Sequence, residues 1–339
     1  MSASPSVDSQ PKPATDQYRD PSPAPLWLDL VAKLIRRIPV GRYSLIWWLR
    51  HGPKKAFLVR TPKSLGGDTF QFSFGDQIER QVFLGGCYEP QESACIRDIL
   101  RPGMTFIDVG ANWGFFTLMA AHLVGPSGKV VAIEADPRVF ARLKQNVTRN
   151  LLRQVQIFEM AVADRHGTVT LAGHSESAGN PGVSRLVENG SAEPLKFSVK
   201  SCPLDSLLQQ THLENIDLLK IDVEGAEDLV LEGMEEGLRS RRYHRILLEI
   251  HPLQLAERGR TAREVIAVLT EHGYRGYALD YFKALRKAHY KPWLHSSEFI
   301  MPLQNVEIDN SGHLSADESE SQNLHTIWFS PNQSDYLQL

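Results

Sequence analysis

Apolar residues follow two patterns along the chain, and the pattern changes near Glu89. From Leu26 to Ile38 they recur at three- and four-residue spacing between Lys and Arg residues, which predicts a basic amphipathic helix. Residues 69–74 alternate aromatic and polar side chains, as is typical of a half-buried strand. Residues 1–25 are rich in Pro, Ser and Ala and poor in large apolar residues, so we expect a disordered tail there.

Beyond Glu89, apolar runs of strand length alternate with segments of helical length. The predicted strands are 105–109, 129–133, 155–161, 216–221, 245–250, 274–279 and 325–329, and the predicted helices are 115–124, 137–150, 226–237 and 261–273. Such alternation predicts a doubly wound, mostly parallel α/β sheet covered by helices on both faces. We therefore expect a tail at 1–25, an amphipathic helix with short strands at 26–86, and one α/β domain at 87–339.

Composition narrows the class of protein without identifying it. Hydrophobic residues make up 42% and charged residues 23% of the 339 residues, as in ordinary globular proteins. The net charge of -3 gives no overall basic character, so nucleic acid is not expected as a partner. Three cysteines without metal-ligand spacing indicate reduced thiols. Because neither a signal peptide nor a long apolar segment is recognisable, a cytoplasmic location is expected.

The end of the first predicted strand carries the strongest chemical signal. Residues 108–114 read D-x-G-x-N-x-G and lead into a helix. Gly110 and Gly114 would let the backbone approach a ligand closely, because neither has a side chain to fill that space. The next strand ends at Glu134, in the position that binds the ribose hydroxyls of an adenosine cofactor in doubly wound folds.

A nicotinamide dinucleotide is a rival cofactor for this type of fold. Its binding turn has the pattern G-x-G-x-x-G, whereas Asp108 stands in the place of the first glycine here. A carboxylate would repel a pyrophosphate, but it would attract the ammonium and sulfonium of S-adenosylmethionine. The turn therefore favours S-adenosylmethionine as the cofactor and argues against an oxidoreductase.

Two further strand ends are predicted to border the same crevice. The segment after the fourth major strand places Asp222, Glu224 and Glu227 within six residues. One carboxylate could take a proton from an acceptor hydroxyl and another could hold the acceptor. Glu227 could equally serve only the first turn of a helix, where negative charge is favourable. A cation is conceivable at these carboxylates, but no metal ligand is predicted.

The fifth major strand ends in Glu249-Ile250-His251-Pro252. Glu249 and His251 lie two residues apart, on the same side of the strand. The ordinary pKa of histidine lies near working pH, so His251 is a candidate general base. A purely structural role for this histidine is the equal alternative.

Taken together, these blocks resemble the FkbM family of methyltransferases over residues 79–252. The resemblance rests on the following segments, in order: 86–90, 107–114, Glu134 with Asp136-Pro137, 146–150, 161–164, 204–207, 216–227 and 249–251. One departure is Ala135, where the family often has proline. Because Glu134 is kept, we expect little consequence from this difference.

The resemblance implies an O-methyltransferase that uses S-adenosylmethionine and acts on a hydroxyl of a sugar, a glycolipid or polysaccharide, or a secondary metabolite. It implies that Asp108, Gly110, Asn112 and Gly114 hold the methionine end of the donor, Glu134 the ribose, and Ala161 the adenine. We expect in-line attack of the acceptor oxygen on the methyl carbon. Asp222 or His251 would then be the base, and Glu224 the acceptor ligand.

Two matters stay open from the sequence. The basic segment 26–50 could pack on the domain, on a second copy in a homo-oligomer, or on an anionic membrane surface. A catalytically inactive protein of methyltransferase fold that binds a partner or a membrane is the alternative function. The identity of the acceptor is not encoded in any motif recognised here.

Overall fold

A computed structural model describes residues 21–38, 41–53, 55–173, 184–187, 195–288, 294–303 and 323–333. Within these ranges, no helix is both long enough and apolar enough to cross a bilayer. The predicted loop at 173–194 and the acidic segment 305–322 fall largely or wholly outside them.

The strands form three sheets in the described part of the chain. They are β1 (Ser22–Pro23), β2 (Phe57–Arg60), β3 (Thr69–Phe72), β4 (Thr105–Val109), β5 (Lys129–Glu134), β6 (Val155–Glu159), β7 (Ala161–Val162), β8 (Gly167–Gly173), β9 (Ser184–Leu186), β10 (Lys196–Cys202), β11 (Leu218–Ile221), β12 (Arg245–Ile250), β13 (Arg275–Leu279), β14 (Ile300–Pro302) and β15 (Leu324–Phe329). The largest sheet has the order β14-β13-β15-β12-β11-β4-β5-β6.

Neighbouring strands from β12 to β6 are parallel, as predicted for a doubly wound sheet. β15 is antiparallel to both β12 and β13, between which it is inserted. The strand order reverses between β4 and β11: the chain continues from β4 to one edge and from β11 to the other. In open α/β sheets a crevice forms at such a reversal, beyond the carboxyl ends of the strands.

Helices cover both faces of the large sheet. They are α1 (Leu26–Ile35), α2 (Arg42–Trp48), α3 (Gln77–Arg80), α4 (Pro90–Ile99), α5 (Phe115–Val124), α6 (Pro137–Arg149), α7 (Leu204–Thr211), α8 (Glu227–Glu232), α9 (Glu235–Arg239), α10 (Pro252–Glu257), α11 (Ala262–Glu271) and α12 (Tyr281–Ala288). The strands of the sheet centre are fully buried on both sides, as their continuous apolar sequences require.

Local sequence patterns predicted several elements correctly. β4 and α5 have the predicted bounds, and β12 is found at the predicted residues. Asp136 caps α6 by accepting a hydrogen bond from the backbone N–H of Arg138, and Pro137 occupies the first helical turn. The predicted helix 226–237 is instead two helices, which are separated at Gly233 and Met234.

The N-terminal region differs from the expectation in one place. β1 pairs with β2 in a three-stranded sheet, so Ser22 and Pro23 are not part of a disordered tail; residues 1–20 lie outside the described ranges. The predicted amphipathic helix is present as α1, and a second helix, α2, follows it. A residue before proline disfavours helical backbone, and Gly41 adopts a positive φ of 78°, so the sequence breaks the helix between them.

Candidate active site

The turn from β4 into α5 is held by the neighbouring strand. The backbone N–H groups of Gly110 and Ala111 both donate to the carbonyl oxygen of Ile133, each at 3.0 Å. Gly110 has a φ of 81°, and a Cβ atom there would overlap the backbone carbonyl of Asp222. This glycine therefore allows two strand ends to come together, which is a different reason from the ligand contact we expected.

Gly114 is also required by packing within the protein. Its φ is 97°, and an added Cβ would lie 2.7 Å from the Leu143 side chain of α6. Gly114 is not among the residues that line the cleft, and its contact with the methionine end of the donor stays a prediction.

Asp108 is buried beneath the turn, although we expected it to face the ligand directly. Only 1% of this residue is exposed, and one carboxylate oxygen accepts a 2.6 Å hydrogen bond from the Thr117 hydroxyl. The other oxygen is buried and has no hydrogen-bond partner among the residues that the structure describes. Burial raises the pKa of Asp108 to about 6, against the opposing effect of Lys220.

Glu134 closes the opposite side of the turn. One of its oxygens accepts a hydrogen bond from the Asn112 N–H and the other from the Asp136 N–H, both at 2.8 Å. Asn112 has a left-handed backbone with a φ of 52°, which aims its N–H at this carboxylate. Burial raises the pKa of Glu134 to about 7. Each oxygen keeps a second lone pair, so the carboxylate can still accept hydrogen bonds from a ligand.

A cleft of about 670 Å³, measured to its open mouth, lies at the reversal of strand order. Six of the nine predicted site residues line it: Gly110, Asn112, Glu134, Ala161, Asp222 and Glu224. The rest of its wall is mainly apolar and includes Ile133, Met160, Val162, Leu171, Leu186 and Val223. A mainly apolar cleft that also presents the carboxylates of Glu134, Asp222 and Glu224 fits a molecule with a flat aromatic base, ribose hydroxyls and a cationic end.

Lys220 lies beside this cleft among several carboxylates. We name them the carboxylate cluster, and they are Glu92, Asp222, Glu224, Glu227 and Glu249. Lys220 is 1% exposed, and its ammonium is 2.9 Å from Asp222 and 3.7 Å from Glu92. The ammonium also lies 4.8 Å from the centre of the Phe116 ring. Although burial disfavours the charged form, Asp222 and Glu92 outweigh it and hold the pKa of Lys220 well above its usual value.

Glu224 projects into the cleft from the turn after β11. Its φ of 52° lies in the left-handed region, where residues other than glycine are uncommon, and Gly225 follows with a φ of 93°. A Cβ at Gly225 would collide with Gln254, so the tight turn depends on this glycine. Burial raises the pKa of Glu224 to about 7, partly countered by His251.

His251 is surrounded by four carboxylates and is 1% exposed. Its Nδ1 is 2.7 Å from Glu227, and its Nε2 is 3.5 Å from Glu224, 3.5 Å from Glu249 and 3.8 Å from Asp222. Burial lowers the pKa of this imidazole, but Glu227 and the other carboxylates outweigh burial and raise it well above the ordinary value. These carboxylates therefore favour the imidazolium form of His251, and its role as a general base stays a prediction.

A second layer of charged residues was not found from the sequence. Glu92 of α4 lies 3.0 Å from Nδ1 of His325 in β15, and Asn323 donates a 2.7 Å hydrogen bond to Glu249. Burial opposes ionisation of Glu92, but Lys220 and His325 outweigh it and lower its pKa to about 2. Lys220 lies within the recognised segment 216–227, but the sequence assigned it no role. No local pattern marks Glu92 or His325.

Two groups of side chains have the ligand types of a divalent-cation site. One comprises Asp222, Glu224 and His251, and the other comprises Glu92, Glu249 and His325; the ligand atoms of each group lie within 4.8 Å of one another. Lys220 and the two histidines already supply positive charge to these carboxylates. We therefore assign no metal ion to either group.

The fold and the cleft define a class of protein: a Rossmann-like methyltransferase, with the cofactor crevice beyond the ends of β4 and β5. A family model described as the methyltransferase FkbM domain matches residues 108–275. The chain is 30% identical over 222 residues to the 31-O-demethyl-FK506 methyltransferase FkbM of Streptomyces tacrolimicus, covering 58% of this chain and 80% of that protein. It belongs to the FkbM methyltransferase family, and its cofactor is S-adenosylmethionine.

Two other relatives agree with this assignment. The 2-O-methyltransferase NoeI of Sinorhizobium fredii is 29% identical over 183 residues, which are 49% of this chain and 74% of that protein. Methyltransferase 1 of Beauveria bassiana is 26% identical over 178 residues, which are 47% of this chain and 67% of that protein. The similarity thus extends to methyltransferases of bacteria and of a fungus.

Replacing Asp108 by Asn tests whether the buried, ionised carboxylate of Asp108 lowers the free energy of unfolding. An aspartate in the unfolded chain titrates near pH 4, whereas the folded pKa is about 6. Above a pH of about 6, Asp108→Asn should therefore stabilise the ligand-free protein, by at most about 3 kcal/mol. The gain should vanish as pH falls through about 4, in denaturant unfolding measured across this range.

Asp217→Asn is the matched control of opposite sign. Burial opposes ionisation of Asp217, but hydrogen bonds from His244 and the Thr105 N–H outweigh it and lower its pKa. The control variant should therefore lose stability at neutral pH. Loss of stability in both variants at neutral pH would contradict the raised pKa of Asp108.

Proposed function

We propose that this protein is an O-methyltransferase that acts on a hydroxyl of a sugar, a glycolipid or polysaccharide, or a secondary metabolite. The observation that carries the proposal is Glu224, a carboxyl with a pKa of about 7 on the wall of the cofactor cleft. A base of this pKa can remove a hydroxyl proton near neutral pH. The printed names of two relatives, a 31-O-demethyl-FK506 methyltransferase and a 2-O-methyltransferase, support transfer to oxygen.

The proposed donor contacts follow the lining of the cleft. Glu134 would accept hydrogen bonds from the ribose hydroxyls, and Ala161 with its apolar neighbours would lie against adenine. Gly110 and Asn112 would face the methionine end, with Asp108 below them fixing the turn. When bound, S-adenosylmethionine supplies a methyl group activated by a positively charged sulfur.

The proposed acceptor side is formed by the carboxylates around His251. Glu224 would take the acceptor's proton and Asp222 would orient the hydroxyl, both from the turn after β11. His251 would be a positioning residue, because its Nε2 lies 3.5 Å from Glu224 and its positive charge fixes that carboxylate. This reverses the roles expected from sequence, in which Glu224 held the acceptor and His251 was a candidate base.

Glu134→Gln should weaken binding of S-adenosylhomocysteine by roughly 1–3 kcal/mol, because the amide loses charge and one acceptor oxygen. The measurement is calorimetric titration of the purified protein, with unfolding temperature recorded in parallel. Glu159→Gln is the matched control, since Glu159 is the exposed partner of Glu134 on the neighbouring strand. Equal affinity in both variants would remove Glu134 from the donor site.

Glu224→Gln should lower kcat by roughly 10²–10⁴-fold, the usual contribution of a positioned base, and leave donor affinity nearly unchanged. In the unchanged protein, kcat should rise with pH through about 7, because Glu224 must lose its proton before it can accept another. Release of S-adenosylhomocysteine with a panel of sugars, glycolipids and alcohols measures this. Glu236→Gln, at an exposed position of α9, is the control.

The binding and turnover measurements distinguish the proposed enzyme from two alternatives. Donor binding without turnover on any acceptor would favour a catalytically inactive binding protein. Turnover that survives in Glu224→Gln with an unaltered pH profile would show that another group is the base.

A further inference from the structure

An exposed apolar surface lies on the N-terminal helices. We name it the N-terminal apolar patch, and it comprises Leu26, Trp27, Leu30, Leu34, Trp47 and Trp48. These side chains are between 54% and 89% exposed. Among the described residues, eight large apolar side chains are exposed, and six of them are in this patch. α1 and α2 both pack against the helical segment Gln81–Gly85, which brings these six residues to one region of the protein. Such a concentration marks an interaction surface, because exposed apolar residues are normal only when they are scattered singly.

The patch is fixed on the body of the protein. On the opposite face of α1, Leu28, Ala32 and Ile35 are buried in the main core, and Ile46 anchors α2 in the same way. The Arg36 guanidinium donates a hydrogen bond to the carbonyl oxygen of Phe83. Both helices thus have their own buried face, and the patch is a second apolar face left without a partner in the described residues.

The charge around the patch differs from that of the rest of the chain. Residues 26–63 contain nine Lys and Arg residues and a single acidic residue, Asp29, so this segment has a net charge of +8. The whole chain has a net charge of -3. Lys33 is exposed on α1 and Arg37 is exposed just after it, and the Arg50 guanidinium lies 3.3 Å from the centre of the Trp47 ring. The patch is therefore bordered by cations.

We propose that the N-terminal apolar patch docks this protein on an anionic lipid bilayer. Exposed Leu and Trp side chains beside Lys and Arg are the features of helices that lie in the headgroup region. Each cation near the surface adds attraction for anionic lipid, and tryptophan rings favour the boundary between water and acyl chains.

Two other occupants fit the patch less well. A second copy would bring one segment of net charge +8 against another, and this repulsion opposes association through the same face. A nucleic acid would use the cations and could stack on the tryptophans, but it offers nothing to Leu26, Leu30 and Leu34. A bilayer satisfies both the cations and the aliphatic side chains.

The docking surface is close to the acceptor side of the site along the chain. α1 and α2 pack against the helical segment Gln81–Gly85, which continues through Tyr88 to Glu89 and Glu92. Only a few residues of chain therefore separate Glu89 and Glu92 from the segment that the membrane-facing helices contact. The membrane proposal does not depend on the identity of the base or the acceptor.

Vesicle co-sedimentation of the full chain tests the proposal. With mixed phosphatidylcholine–phosphatidylglycerol vesicles we expect binding that weakens with salt, and weaker binding to phosphatidylcholine alone. The double variant Trp47→Ser, Trp48→Ser should lose roughly tenfold or more in partitioning, because two exposed interfacial rings are removed. Leu151→Ser, Leu253→Ser is the matched control at exposed apolar sites outside the patch.

A charge-reversal pair tests the electrostatic part separately. Lys33→Glu, Arg37→Glu should lose binding to anionic vesicles, whereas Lys129→Glu, Lys144→Glu, at exposed positions elsewhere, should not. Unchanged S-adenosylhomocysteine affinity and unfolding temperature would establish that each variant is folded.

Several results would overturn the proposal. They are an absence of wild-type binding to anionic vesicles, equal binding by the tryptophan variant and the wild type, and a dimer in solution that the tryptophan variant converts to monomer. Displacement of bound protein from vesicles by duplex DNA at physiological salt would also overturn it, in favour of nucleic acid.

Discussion

The ion pairs of one buried lysine hold the active site together. Lys220 of β11 reaches Asp222 in the turn that follows this strand and Glu92 on α4, and it lies over the Phe116 ring of α5. A buried ammonium without partners would cost several kcal/mol, so these three elements must converge on it. Their convergence sets the position of the β11 turn, and hence of the carboxylates that face the cleft.

Two buried histidines, His251 and His325, add positive charge beside the carboxylates around Lys220. The carboxyl groups of the site differ in pKa as a result. His325 and Lys220 keep Glu92 ionised, with its pKa lowered to about 2 against the effect of burial. Burial raises the pKa of Glu134 and of Glu224 to about 7 on the cleft wall. Glu92 contacts two cationic side chains, Lys220 and His325, whereas Glu224 shares His251 with three other carboxylates. Similar side chains thus differ in pKa, and a proton acceptor near neutral pH results.

The sequence predicted the parts of this site that depend on neighbouring residues. β4, α5 and the Asp136 cap follow from local patterns, and the turn motif indicated the cofactor correctly. The parts that were missed depend on contacts between distant residues. β15 inserts between β12 and β13, and only this insertion brings His325 to Glu92, which is 233 residues away in the chain. The charge state of His251 likewise depends on carboxylates from several elements, not on its own segment.

The free energy of unfolding of Lys220→Met, measured as a function of pH, tests most directly whether Lys220 holds the carboxylates of the site together. We expect a loss of about 3–5 kcal/mol near pH 8, because Glu92 and its neighbours would be left as buried, unpaired charges. The loss should shrink towards about pH 5, where carboxylates no longer held by Lys220 take up protons. A variant as stable as the wild type, or a loss independent of pH, would show that the carboxylate cluster does not depend on Lys220.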